Sequence, residues 1–152
     1  MLAGPSKSGK THLLKKILTE HINLIRPVID RIVYCFSRWQ PGFEELRQIS
    51  PPVEFNQGLP DIDNFSSTSN NLLILDDLMR EGGKDTSVYD IFTVDSHHKN
   101  ISVFFLTQNL FPKEKNARTI SLNCNYIIVL NNPRDRAQIQ HLASFLSDHK
   151  ES

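Results

Sequence analysis

The sequence predicts an α/β fold: a three-layer sandwich in which a mostly parallel central sheet is covered by helices on both faces. Two observations predict it. Short runs of β-branched, aromatic and leucine residues recur along the chain, and helix-like segments separate several of them. Continuous apolar strands of this kind are typical of parallel sheets that are buried on both sides. The length of 152 residues suits one compact domain with a real core.

The first half of the chain predicts one long helix and three strands. The helix is expected from Lys10 to Leu24 and ends before Pro27, because proline cannot continue a helix. Its apolar face is formed by Leu13, Leu14, Ile17, Leu18 and Ile22. The strand-forming runs are Arg31–Ser37, Val53–Phe55 and Leu72–Leu75. Shorter helical segments are expected at Phe43–Ile49 and Asp61–Phe65.

The second half continues the alternation. Strands are expected at Ser102–Thr107 and Tyr126–Leu130. Helices are expected at Val88–His98, Lys113–Leu122 and Arg134–Leu146. The inward face of the last helix is expected to carry Ile139, Leu142, Ala143 and Leu146.

Residues Gly4–Thr11 read Gly-Pro-Ser-Lys-Ser-Gly-Lys-Thr, which matches the phosphate-binding pattern G-x-x-x-x-G-K-[ST] in full. In such a loop the glycines let successive backbone N–H groups point at a phosphate, and the following helix directs its positive end there. Lys10 is expected to reach the outer phosphates, and the Thr11 hydroxyl to ligate Mg²⁺. The pattern therefore predicts a P-loop NTPase that binds ATP and Mg²⁺.

All eight loop residues are candidate nucleotide-binding residues: Gly4, Pro5, Ser6, Lys7, Ser8, Gly9, Lys10 and Thr11. Lys7 is unusual inside such a loop, and it is either a solvated side chain or a phosphate contact. Only Met1–Ala3 precede the loop, although strands commonly have about five residues. We therefore expect a truncated first strand in a single domain, residues 1–152, that is a fragment lacking the start of that strand.

Two acids follow the apolar run Leu72–Leu75. A hydrophobic strand that ends in an acid is the Walker B pattern, in which Asp76 would bind the hydration shell of Mg²⁺ near Thr11. Asp77 is a candidate general base for the attacking water. The alternative is that Asp77 only caps the following turn or is solvated, since its side chain would point away from that of Asp76 if the strand persisted.

The remaining candidates are an amide and an arginine. Gln108 ends the strand after the Walker B acid, where it could orient water or sense the γ-phosphate, and Asn109 is the alternative. Arg118 is the candidate arginine finger, which a neighbouring subunit would supply in trans. Its rivals are Arg80, Arg134 and Arg136. Each of these arginines taken singly could equally be a surface charge.

Composition restricts the other possibilities. Seventeen basic residues balance seventeen acidic ones, so any DNA contact has to be local. Cys35 and Cys124 match no metal or redox spacing, which suits a reducing intracellular compartment. The pair His97-His98 lacks further ligands nearby in sequence, and we expect no metal site there. No apolar run is long enough for a signal peptide or a membrane span.

Three segments together resemble viral genome-packaging ATPases of the FtsK/HerA superfamily. They are Gly4–Thr11, Leu72–Leu78 (Leu-Leu-Ile-Leu-Asp-Asp-Leu) and Phe105–Phe111 (Phe-Leu-Thr-Gln-Asn-Leu-Phe). The resemblance is to the enzymes of adintoviruses and Polinton (Maverick) elements in particular, which are related to the poxvirus packaging ATPase. It extends over nearly the whole chain, through Ser96–Asn100, Arg118–Asn123 and Asn132–Asp135. The Thr-Gln-Asn strand end is its most discriminating part, because the two Walker motifs alone would suit any P-loop ATPase.

The resemblance implies a homo-oligomeric ring that hydrolyses ATP to move double-stranded DNA into a capsid, through a capsid or portal-like partner. It implies that Lys10, Asp77 and Gln108 are catalytic residues and that Thr11 and Asp76 bind Mg²⁺. The second acid is often Glu in the superfamily, and Asp77 is one methylene shorter. The alternatives are a generic P-loop nucleotide-binding protein, a small-molecule kinase without DNA translocation, and a folded but inactive relic.

Overall fold

Six parallel strands form the sheet in the described part of the protein. The structure is a computed structural model that describes residues 1–78, 88–92, 98–109, 120, 122–131 and 136–148. The strands are β1 (Leu2–Ala3), β2 (Arg31–Phe36), β3 (Val53–Gln57), β4 (Asn71–Asp76), β5 (Ile101–Thr107) and β6 (Ile128–Val129). Their order across the sheet is β3-β2-β4-β5-β1-β6, and every neighbouring pair is parallel. The predicted α/β fold with a parallel sheet is confirmed, and β1 has the expected short length of two residues.

The helices of the described residues lie between these strands and after β6. They are α1 (Lys10–Thr19), α2 (His21–Leu24), α3 (Val88–Asp90) and α4 (Ala137–Asp148), with 3₁₀ helices at Pro41–Gln48 and Ile62–Asn64. The single helix predicted over Lys10–Leu24 is interrupted at Glu20, whose φ of −104° and ψ of 14° leave the helical range. The interruption follows Thr19, whose hydroxyl donates to the carbonyl of Lys15, a local bond that competes with regular helix geometry.

Apolar side chains cover both faces of the sheet because successive residues of a strand point to opposite sides. One cluster contains Val33, Cys35, Leu73, Leu75 and Phe105, and the segment around α3 packs on it. The other contains Ile32, Tyr34, Leu72, Ile74 and Leu106 from the strands. Helix α1 packs on this second cluster through Leu14 and Leu18, and the first 3₁₀ helix through Phe43 and Leu46. The sheet is therefore the middle layer of the fold.

Two expectations about helix faces are wrong. Ile22 is 56% exposed, because the interruption at Glu20 separates α2 from α1 and changes the direction of its side chains. Ile139 is 43% exposed and Ala143 is also exposed, whereas Leu142 packs against the first cluster. Helix α4 follows β6, the outermost strand of the described sheet, so little sheet surface is available to its apolar side chains. The side chain of Leu146 lies outside the described residues.

Register brings the carboxyl ends of three strands to one level. Asp76 in β4 pairs with Leu106 in β5, and Ala3 in β1 pairs with Thr107. Two backbone hydrogen bonds extend this register beyond the strands, from Gly4 N to Thr107 O at 3.1 Å and from Asp77 N to Leu106 O at 3.0 Å. The glycine-rich loop and both acids therefore lie at the same edge of the sheet, on either side of the end of β5.

Candidate functional site

The loop Gly4–Thr11 connects β1 to α1 through two residues in the left-handed region. A backbone bond of 3.2 Å from Ser8 N to Pro5 O closes a tight turn, in which Lys7 has a φ of 64°. Gly9 follows with a φ of 97° and is the N-cap of α1. A left-handed N-cap favours glycine, which has no Cβ to clash. The loop thus begins α1 at Lys10, with the first N–H groups of the helix next to the loop.

Lys10 Nζ donates to two carbonyl oxygens of its own loop, that of Gly4 at 2.5 Å and that of Pro5 at 2.9 Å. Burial lowers the pKa of Lys10, and the negative charges of Asp76 and Asp77 oppose this effect. An ammonium group is thereby held among carbonyl oxygens, close enough to both acids to be influenced by them. Such a group can exchange weak carbonyl partners for an anionic ligand.

Asp76 ends β4 and is 8% exposed. Its Oδ2 accepts a hydrogen bond of 2.8 Å from the hydroxyl of Tyr34, which comes from the adjacent strand β2. Burial raises the pKa of Asp76; the bond from Tyr34 counteracts this, Asp77 raises it further and Lys10 lowers it. Burial also raises the pKa of Tyr34, and the charge of Asp76 adds to that effect. The pair therefore consists of a buried hydroxyl that donates to a buried carboxylate.

Asp77 lies just beyond the end of β4 and is exposed. Its φ of 55° turns the backbone out of the strand, so the alternation that would have pointed it away from Asp76 does not apply. Asp77 Oδ2 accepts a hydrogen bond of 2.9 Å from Gln108 Nε2 at the end of β5. Non-glycine residues with positive φ are often found at functional sites, and Asp tolerates this conformation better than most.

These residues surround one cavity of about 400 Å³ at the carboxyl edge of the sheet. The loop contributes Ser6, Lys7, Gly9, Lys10 and Thr11. The strand ends contribute Asp76, Asp77, Leu106, Thr107 and Gln108, and His12 and Gln40 complete the lining. Ligands of open parallel sheets bind at this edge. Cavity size and lining suit a ligand with several anionic oxygens.

The other loop candidates lie behind the lining. Gly4 is buried, and a Cβ at this position would lie 2.7 Å from Ser8 Oγ. Ser8 Oγ is itself buried without a hydrogen-bond partner among the described residues. Gly9 differs, because a Cβ there would meet nothing within 4 Å. Gly4, Pro5 and Ser8 thus shape the loop, whereas Gly9 leaves space at the cavity.

Several sequence-predicted residues cannot be assigned to the cavity. Arg118 and its rivals Arg80 and Arg134 lie outside the described residues, as does His97. Arg136 is described and exposed, and it does not line the cavity. Asn109, the alternative to Gln108, is exposed beside it, and its carbonyl accepts a bond of 2.9 Å from Thr107 Oγ1.

Sequence reasoning missed Tyr34 and Gln40. The signal for Tyr34 was available: it is the one hydroxyl-bearing residue within the apolar strand Ile32–Phe36, and a buried tyrosine hydroxyl usually requires a partner. Gln40 follows β2 in a loop, and no local pattern distinguishes it from a surface glutamine.

The residues present fit Mg²⁺ bound together with a phosphate ligand. Within the described ranges, no group of three or more His, Cys, Asp or Glu side chains could hold an ion alone. Mg²⁺ is commonly bound by one or two carboxylates while substrate phosphates and waters supply the other ligands. Asp76 and the Thr11 hydroxyl, on the same cavity as Lys10, form a donor set of that type.

Compared with known proteins, the chain matches no protein-family model and no curated protein. Among the described helices, none is both long and apolar enough to cross a membrane.

Proposed function

We propose that this chain is an ATP-hydrolysing motor domain that translocates double-stranded DNA, in a ring that packages a viral or virus-like genome. One observation carries the nucleotide part of the proposal. A single cavity at the carboxyl edge of the sheet has Lys10, Thr11, Asp76, Asp77 and Gln108 among its lining residues. Each of these groups has a separate task in the hydrolysis of a triphosphate.

Strand order supports the hydrolytic version of this proposal. The sheet inserts β5 between β1, which leads into the loop, and β4, which ends in Asp76. Gln108 at the tip of β5 therefore lies between the loop and the acids, within hydrogen-bond distance of Asp77. An amide in this place can orient a water molecule for attack or respond to the loss of the γ-phosphate.

The residues suggest a division of roles. Backbone N–H groups of the loop and the start of α1 would bind phosphate oxygens. Lys10 would leave the carbonyls of Gly4 and Pro5 and donate to the outer phosphates, where its charge offsets the charge that develops in the transition state. Asp77 would accept the proton of the attacking water, while Gln108 holds its carboxylate in place.

Thr11 and Asp76 are the residues that would hold Mg²⁺. When bound, the ion neutralises charge on the β- and γ-phosphate oxygens. The protein's part is to present the Thr11 hydroxyl and one Asp76 oxygen at the same cavity.

The DNA part of the proposal depends on the resemblance to packaging ATPases, carried by the loop, the acid pair and the Thr107-Gln108-Asn109 strand end. In a ring, Arg118 of a neighbouring subunit would complete the site in trans. Because the chain has no net charge, DNA would be contacted by a local basic patch, for which Lys113, Lys115 and Arg118 are candidates.

The test is ATP hydrolysis with and without duplex DNA, in the wild type and in Lys10→Ala. Lys16→Ala is the matched control, since Lys16 is exposed on the same helix and away from the cavity. We expect turnover that DNA stimulates, that Lys10→Ala abolishes and that Lys16→Ala retains. DNA binding should weaken steeply with salt, because each phosphate contact releases counterions.

Other results would contradict the proposal in distinguishable ways. Absence of nucleotide turnover in the wild type would overturn the ATPase function. Hydrolysis that ignores DNA would overturn the motor. Transfer of phosphate to a small acceptor, again without a DNA response, would favour a small-molecule kinase.

A further inference from the structure

Tyr34 is a buried residue that contacts Asp76 from outside the cavity lining, and the proposed chemistry does not yet use its hydroxyl. It is fully buried on β2, among apolar neighbours. Its ring centroid lies 4.7 Å from that of Phe43 and 5.6 Å from that of Phe55. For packing alone a phenylalanine would serve equally well, and a buried hydroxyl is costly unless it has a partner. The partner is Asp76 Oδ2, at 2.8 Å.

This contact restricts how Asp76 can act. The surrounding rings prevent Tyr34 from swinging, so its hydroxyl is a fixed donor. With Oδ2 engaged, the carboxylate cannot rotate freely, and Oδ1 is the oxygen that remains for a ligand in the cavity. Asp76 and Lys10 line one cavity, but none of the ion pairs among the described residues joins them. Each is therefore available to a ligand separately.

We propose that Tyr34 is a positioning residue, which orients the Asp76 carboxylate for Mg²⁺ through the bond from its hydroxyl to Oδ2. The inference rests on the proposed nucleotide function and extends it to a residue outside the loop and strand-end motifs. Partners that orient a metal-binding side chain commonly contribute roughly 10–100-fold to metal affinity. A purely structural tyrosine would contribute to stability without a specific effect on the metal.

The experiment compares the affinity for a non-hydrolysable ATP analogue, AMP-PNP, in Mg²⁺ and in EDTA by titration calorimetry. The variants are Tyr34→Phe, Asp76→Asn and the double variant, and the control is Tyr126→Phe, which removes a hydroxyl from a side chain that is 81% exposed. For Tyr34→Phe we expect the Mg²⁺-dependent gain in affinity to fall roughly 10–100-fold, with affinity in EDTA unchanged. In the Asp76→Asn background the same substitution should have no further effect, since coupled residues do not act additively.

Each result decides between the alternatives. A wild type that binds no AMP-PNP would remove the proposed function and this inference together. If the wild type binds AMP-PNP more tightly with Mg²⁺ than in EDTA, and Tyr34→Phe shows the same gain in affinity, only the inference about Tyr34 is overturned. Equal losses in Mg²⁺ and EDTA would show a structural role and also overturn it.

A second measurement avoids dependence on the folding of Tyr34→Phe. The chain has three tyrosines, and 3-fluorotyrosine incorporated at all of them gives ¹⁹F resonances that Tyr126→Phe helps to assign. We expect the Tyr34 resonance to shift when Mg²⁺ is added to protein that already holds AMP-PNP. A resonance that stays unchanged would overturn the inference.

Discussion

Gln108 Nε2 donates a hydrogen bond of 2.9 Å to Asp77 Oδ2 and joins the tips of β5 and β4. The two side chains come from positions 31 residues apart in the sequence. Both line the cavity that also contains Lys10. An amide donor of this kind would orient the Asp77 carboxylate for its proposed role as general base.

The first prediction concerns this pair and its neighbour. Asp77→Asn should lower kcat by roughly 10²–10⁴, the usual contribution of a general base, with little change in KM. Gln108→Ala should lower kcat by a smaller factor, because Asp77 keeps its charge but loses its orientation. Asn109→Ala is the comparison in steady-state kinetics, and an effect as large as that of Gln108→Ala would move the sensor role to Asn109.

The second prediction concerns the space at Gly4. A Cβ there would lie 2.7 Å from Ser8 Oγ and 2.9 Å from Leu130 Cβ, so Gly4→Ala forces the loop or the residue that follows β6 to move. We expect a loss of about 1–3 kcal/mol in the free energy of unfolding, the usual cost of overpacking. Gly42→Ala is the control, since a Cβ at that position meets nothing within 4 Å. Urea unfolding that gave equal midpoints for the two variants would contradict the close packing of the loop.

The third prediction separates the backbone of Lys7 from its charge. Lys7 has a φ of 64°, which costs a non-glycine residue about 1–2 kcal/mol. Lys7→Gly should therefore be more stable than Lys7→Ala by up to about 1 kcal/mol, after the larger chain entropy of glycine is subtracted. Both variants remove the cation from the cavity lining, so both should weaken nucleotide binding by a similar factor. An unchanged nucleotide affinity in both variants would show that Lys7 is a solvated loop residue and not a phosphate contact.

The fourth prediction concerns pH and the edge strand β3. Arg31 donates to both oxygens of Glu54, at 2.9 and 2.7 Å, and this hydrogen bonding lowers the pKa of Glu54 below its usual range. A lowered folded-state pKa adds stability above the unfolded-state pKa, and that stability disappears as pH falls through the folded value. Because the Glu54 side chain is 53% exposed, Glu54→Gln should cost only about 0.2–1 kcal/mol at neutral pH. In acid, where Glu54 is protonated, urea unfolding should give the same stability for Glu54→Gln and for the wild type.

Local patterns predicted most of the strands. Arg31–Phe36 and Asn71–Asp76 appear in the structure within one residue of the expected bounds, because both are continuous runs of strand-forming residues. The faces of helices were predicted less well. Ile22 is exposed because the helix is interrupted at Glu20, and Ile139 is exposed because α4 follows the outermost strand β6. Neither feature is encoded in the apolar spacing of its helix.

The sequence by itself determined the α/β class, the glycine-rich loop and the candidate groups that follow each strand. All of these depend on residues that are neighbours in the chain. Only the tertiary structure decided which strand ends meet, because strand order depends on contacts between distant segments. The insertion of β5 between β1 and β4 brings Gln108 to Asp77, and the pairing of β2 with β4 brings the Tyr34 hydroxyl to Asp76. A hydrogen bond requires its two atoms to lie within about 3 Å, and only the packed sheet fixes distances of that kind between side chains so far apart in sequence.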